Sequence, residues 1–194
     1  YTSSSLTTAV NFTTQTITAD CEFFAKWEQL FTLTYSVNGG TGSVPTPEQY
    51  KSGETVTIKD IGSISKTGNK CLGWGDGTNT YNKGDQYKIT GNVTLYAVWE
   101  PIMYTVTFNS NGGSSVQSQK VQSGGKATEP AAPTKSGYNF AGWYTSSSLA
   151  TSVNFTTQTI TADCEFFAKW NPVMFTVKFN SNGGSEVQSQ SVQS

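Results

Sequence analysis

MYTVTFNSNGG (residues 103–113) alternates Tyr104, Val106 and Phe108 with Thr105, Thr107 and Asn109. That two-residue period is the mark of a strand buried on one face. Asn111-Gly112 follows and supplies the positive φ angles that a tight hairpin turn needs. Val116 and Val121 mark a returning strand, closed by Gly124-Gly125. Residues 126–137 carry Pro130 and Pro133 and read as an extended connection. A third strand runs through Tyr138, Phe140 and Trp143, and Ser146–Leu149 reads as one short helical turn capped by serine. Val153 and Phe155 pin this stretch to the core, and Cys164, Phe166, Ala168 and Trp170 alternate in a last strand. About four strands with little helix make the fold class mostly β, α+β at most.

The same text recurs along the chain, and recurrence at a fixed period defines the architecture. Ile102–Ser123 is repeated by Val173–Ser194, with Met103 and Met174 standing 71 residues apart. Tyr1–Trp27 and Tyr144–Trp170 differ only at Thr7/Ala150 and Ala9/Ser152. A diverged copy lies between them: residues 31–40 match the Tyr104 strand and its turn, Cys71–Trp74 matches Phe140–Trp143, and Leu95–Trp99 matches Phe166–Trp170. The expected organisation is therefore the C-terminal part of one repeat (1–27), a diverged complete repeat (28–99), a complete repeat (100–170) and the N-terminal part of another (171–194). The chain reads as a piece of a longer array. Glu100-Pro101 and Asn171-Pro172 are the only linkers, which predicts a semi-rigid, elongated rod.

The 194 residues carry a formal net charge of −1, so no electrostatic footprint for nucleic acid or an anionic membrane is present. Charged residues are 13% of the chain, about half the usual share, and hydroxyl and amide side chains make the surface polar instead. Aromatics at 13% are sufficient to build cores. No apolar run approaches the ~18 residues that cross a bilayer, so no direct membrane insertion is expected of this stretch. Tyr1 opens directly into a Ser/Thr stretch without a signal-peptide pattern. Cys21, Cys71 and Cys164 lack the spacing of a zinc site and are too few for a disulfide scaffold, which leaves them as small buried fillers.

TVTFNSNGG (105–113), GGKATEPAAPTKSGYNFAGWY (124–144) and the closing FFAKW (166–170) resemble the Listeria–Bacteroides repeat, the internalin-type B-repeat of bacterial surface proteins. The resemblance covers 100–170 and both partial copies, and is weaker over 28–99, where Cys71 replaces an aromatic. It implies a small β-grasp-like fold and a place on the bacterial cell surface, within long multi-repeat adhesins. It brings no catalytic residues with it.

The chemistry in the sequence agrees with a non-enzymatic role. There is no histidine, hence no ordinary general base and no hydrolytic triad. Asp20 and Asp163 precede the last strand of their copies and suit a turn or capping role. The glycine runs fit no phosphate-binding pattern, and those at 38–40 and 111–113 sit in turns. One loop is peculiar to the diverged copy: Asp76, Asn79, Tyr81 and Asp85 are candidate ligand contacts there, although the carboxylate spacing of a calcium loop is missing. Trp27, Trp74, Trp99, Trp143 and Trp170 fall in phase with core residues, which favours packing over a sugar-stacking platform. No metal and no cofactor is expected.

These readings converge on an extracellular, cell-surface repeat region that acts as a stalk or spacer, with neighbouring repeats as its partners. The alternative is an adhesive module that binds a host or matrix protein or a glycan, multiplied by tandem presentation. A third reading is a self-assembling subunit whose incomplete ends pair by strand complementation.

Overall fold

Alternation becomes strand here wherever a second segment covers the apolar side. The computed structural model describes residues 1–194 and contains thirteen strands and no helix. In chain order they are β1 (Leu30–Ser36), β2 (Glu48–Lys51), β3 (Thr55–Thr57), β4 (Asn69–Gly75), β5 (Thr80–Tyr81), β6 (Gln86–Lys88) and β7 (Val93–Pro101). Then follow β8 (Met103–Asn109), β9 (Gln119–Gln122), β10 (Tyr138–Tyr144), β11 (Cys164–Pro172), β12 (Met174–Val177) and β13 (Gln190–Gln193). The chain divides into two units, one of residues 1–64 and 72–98, the other of residues 65–71 and 99–194.

In the first unit the sheet order is β2-β1-β7-β4-β5, with β1 antiparallel to β2 and parallel to β7. Leu33 and Tyr35 of β1 are buried with Trp74, Leu95 and Ala97, as are Val56 of β3 and Ile58, Ile64 and Ile89 of the segments between strands. Tyr35 meets Trp74 edge to face at 4.8 Å. β3 and β6 pair separately, antiparallel.

The second unit repeats the plan with a more aromatic interior. Its sheet order is β10-β11-β8-β9, with β8 antiparallel to β9 and parallel to β11. Phe108 lies at the centre of a ring cluster, 5.0 Å from Trp143, 6.0 Å from Phe166 and 6.4 Å from Phe155. Each such ring contributes roughly 1.5–3 kcal/mol by leaving water. The crossover from β9 to β10 is an extended chain, held at its start where Gly124 N donates to Ile160 O and Ile160 N to Gly125 O. In both units a parallel central pair is flanked on each side, by β2 and β4 in the first and by β9 and β10 in the second, and the crossover carries no helix.

One residue separates β11 from β12, and it is held on both sides: Val173 N donates to Gly137 O at 2.9 Å, and Ser194 N donates to Val173 O at 3.0 Å. Ile102, just before β8, has the same two bonds, to Gly68 O at 2.9 Å and from Ser123 N at 2.8 Å. β12 and β13 form a two-stranded sheet of their own.

Several expectations are corrected by the packing. Asn111 and Gly112 do take positive φ, 49° and 84°, and Gly113 N closes the turn on Ser110 O. The turn does not join a tight hairpin, because β9 pairs only with the first half of β8. Residues 110–118 loop away before β9 begins, and β11 pairs with the second half of β8 along its opposite edge. Gly113 is required for a further reason: a Cβ there would lie 2.5 Å from Cζ2 of Trp170. Ser146–Leu149 is a turn closed by Leu149 N on Ser146 O, with Leu149 at φ 51°, and not a helical turn. Trp27, expected in a core, is 91% exposed, since residues 20–26 pair with no strand. The cysteines are not fully buried either: Cys21 is exposed, and Cys71 and Cys164 are half-buried.

Candidate ligand surface

The candidate loop residues lie on two consecutive turns of the first unit. Asp76 caps the β4–β5 hairpin: its Oδ1 accepts from the backbone N–H groups of Thr78 and Asn79, each at 2.8 Å. Its Oδ2 accepts from the Tyr81 hydroxyl at 2.8 Å. These donors stabilise the ionised carboxylate and hold its pKa down to about 2, with the Asn79 amide contributing most. The same bond raises the Tyr81 phenol, which would have to ionise beside a carboxylate. The Tyr81 ring meets Tyr87 edge to face at 5.2 Å. Asp85 acts on the next turn, where its Oδ2 accepts from Asn82 N at 2.8 Å. The structure thus brings Asp76, Asn79 and Tyr81 together, with Asp85 engaged in a turn of its own. No group of three or more His, Cys, Asp or Glu side chains converges anywhere in the chain.

The tryptophans divide by burial. Trp74 is 0% and Trp143 2% exposed, so neither presents a ring face to a ligand. Trp74 Nε1 donates to Lys59 O at 3.1 Å, whereas buried Trp143 Nε1 has no hydrogen-bond acceptor within the protein. Trp170 is half-buried, donates to Ser110 O at 2.8 Å, and carries the Lys135 ammonium 5.8 Å from its ring centroid. Lys135 also sits 4.7 Å over the Tyr138 ring and donates to Asn111 O at 2.8 Å, tying the turn to the sheet. Trp99 is half-buried in the first repeat's last strand.

Asp163 acts across the sheet. Its Oδ1 accepts from Thr105 N at 2.7 Å, at the point where the parallel β8–β11 pairing begins. Asn92 Oδ1 accepts from Thr32 N at 2.8 Å in the first unit. The residue before the last strand is therefore a cap on the first strand.

A feature that sequence reasoning missed is a pair of matching hollows. One, of about 230 Å³, is walled by Gln15, Thr16, Ile17, Asp20 and Cys21. The other, of about 200 Å³, is walled by their counterparts Gln158, Thr159, Ile160, Asp163 and Cys164. Burial, and secondarily Asp163, raises the Cys164 thiol pKa, which keeps it protonated and unreactive. Both volumes fall below the ~300 Å³ at which small-molecule sites begin. The signal was the unbroken identity of QTITADC in the two copies.

The comparisons with known proteins agree with the geometry of two like units. The family model for the Listeria-Bacteroides repeat domain matches residues 31–98 and 104–169. An Evansella cellulosilytica protein provisionally named a membrane protein is 36% identical over 84% of this chain. A second from the same organism, provisionally named a Gly-rich membrane protein, is 34% identical over 94% of the chain. Internalin H of Listeria monocytogenes is 32% identical over 66% of it. The matches span only 24%, 21% and 23% of those relatives' lengths. No helix here is long and apolar enough to cross a membrane. The matching model describes a repeat domain and not an enzyme, and with two copies of it accounting for most of the residues, the chain belongs to the Listeria-Bacteroides repeat domain family.

Proposed function

We propose that this region is a non-enzymatic spacer on the outer surface of a bacterial cell, built from β-grasp-like repeats that lack the crossover helix. The observation that carries the reading is the recurrence of one sheet plan, β2-β1-β7-β4 in the first unit and β9-β8-β11-β10 in the second, because repeating one unit adds length without requiring a new binding surface. The candidate loop supports the same reading, because the Asp76 carboxylate already accepts three hydrogen bonds within its own turn.

Binding of labelled 194-residue chain, at a concentration where it is monomeric, to mucins, matrix proteins, whole cells and a glycan panel tests the proposal. A spacer gives no saturable signal. Saturable, competable binding that disappears when residues 75–88 are replaced by 144–157 would overturn it in favour of an adhesive module seated on Asp76, Asn79, Tyr81 and Asp85.

A further inference from the structure

We propose that each complete repeat is a tension clamp, whose first and last strands are locked side by side so that a pull along the chain must shear their whole ladder at once. The inference rests on the spacer reading and adds what the spacer withstands. In the first unit β1 and β7 are the first and last strands of the repeat, neighbours in the sheet and parallel, with Leu33 to Ser36 opposite Val93 to Tyr96. In the second unit β8 and β11 stand the same way, with Val106 to Asn109 opposite Cys164 to Phe167. A pull along the chain grips β8 at its N-terminal end, Met103, and β11 at its C-terminal end, Pro172. In parallel neighbours those two ends point in opposite directions, so the strands are dragged past each other lengthwise. The hydrogen bonds between them run across that direction and resist together. Had the first and last strands been antiparallel, the same pull would peel them apart one bond at a time.

Side chains extend both ends of this ladder, at the same places in the two units. Before it, Thr105 N donates to Asp163 Oδ1 at 2.7 Å, and Thr32 N donates to Asn92 Oδ1 at 2.8 Å. Beyond it, Asn111 Nδ2 donates to Ala168 O at 2.7 Å, and Asn38 Nδ2 donates to Ala97 O at 3.0 Å. Asn111 and Asn38 take positive φ, 49° and 48°, where glycine is the unstrained choice. Asparagine at both positions supplies a rung that glycine cannot. Each parallel pairing is thus closed by a side-chain bond at either end, and the bond to the Asp163 carboxylate is charge-assisted.

Stretching the 194-residue chain between handles at its two ends, at constant force in magnetic tweezers, tests this. Two discrete steps are expected, each lengthening the chain by roughly 200 Å as one repeat straightens. Asn111→Gly removes one rung while keeping the turn, and Asp163→Ala removes the other. Each is compared with Ile160→Val, a change to a buried side chain away from the ladder, after scaling to equal loss of stability in urea. Forced unfolding reads the unfolding barrier, so each ladder variant should shorten the lifetime of the second unit about fivefold more than Ile160→Val does. The second unit's step is the one that Ile160→Val shortens, and the other step should not change. Lifetimes that follow urea stability alike in all three variants overturn the clamp, as does an unmodified chain that extends without steps. Saturable binding in the assay above, together with the extra loss of lifetime in the ladder variants, overturns the spacer reading and leaves the clamp standing. No binding, together with lifetimes that follow urea stability, does the reverse.

Discussion

The two repeats reach one sheet order with different chemistry. In the first unit Glu48 accepts from the Tyr50 hydroxyl and pairs with Lys59, a charged bridge between β2 and the crossover. The Tyr50 phenol, held by that carboxylate, has its pKa pushed up to about 12. In the second unit Gln119 stands in the place of Glu48, and its side-chain amide clamps Thr128 neutrally, donating to the carbonyl at 2.7 Å and accepting from the N–H at 2.8 Å. Aliphatic Ile58, Ile64 and Ile89 fill the first interior, whereas Phe108, Phe155 and Phe166 fill the second. What survives both solutions is the strand alternation, the glycine turns and the buried tryptophan. Topology therefore rests on these, and the rest is exchangeable.

The most damaging test removes the shared element. Trp74→Ala and Trp143→Ala should each cost about 3–5 kcal/mol, read from urea unfolding of the respective unit. An unchanged midpoint for either would break the claim that tryptophan anchors both cores.

Next in size is the glycine before each tryptophan. Gly73 has φ 144°, and a Cβ there would lie 2.4 Å from Tyr81 O, while Gly142, at φ 105°, meets nothing within 4 Å. Gly142→Ala should cost about 1–3 kcal/mol for backbone strain alone, and Gly73→Ala measurably more. Equal losses would show that strain dominates and the β5 contact is irrelevant.

The indole nitrogens give a smaller contrast. Trp74→Phe removes the donor to Lys59 O, whereas Trp143→Phe removes a donor that has no protein acceptor. The first should be the more destabilising by about 1 kcal/mol. The reverse order, measured by thermal unfolding, would mean that the Trp143 nitrogen contributes to stability.

The smallest effect is confined to acid. Asp76 is depressed in the folded state, so its contribution is fully present above the ordinary value of 3.8 and is lost as pH falls towards about 2. Asp76→Asn should flatten the acid limb of the first unit in that window and leave the second unit unchanged. A second unit that responded equally would break the assignment.

Alternation at Tyr104, Val106 and Phe108, the 71-residue period and the glycine turns were sufficient to read a mostly β tandem-repeat chain, because strand periodicity and turn conformation are local properties of the backbone. The capping residue before the last strand was legible in outline, since Asp163 recurs with Asp20, although its partner Thr105 lies far away in sequence. Burial was not legible for Trp27: its sequence is that of a core residue, and only the absence of covering strands leaves it exposed. Nor was the fate of the Asn111-Gly112 turn, which fits a tight hairpin, whereas β9 begins only at Gln119 and pairs with the first half of β8. The sequence by itself determined which segments can become strands and where the chain turns, whereas CEFFAKW is strand at 164–170 and unpaired at 21–27. Tertiary structure alone decided which strand sits beside which and which apolar side chains leave water, because both depend on segments far apart in sequence, as where β11 pairs along the edge of β8 opposite β9.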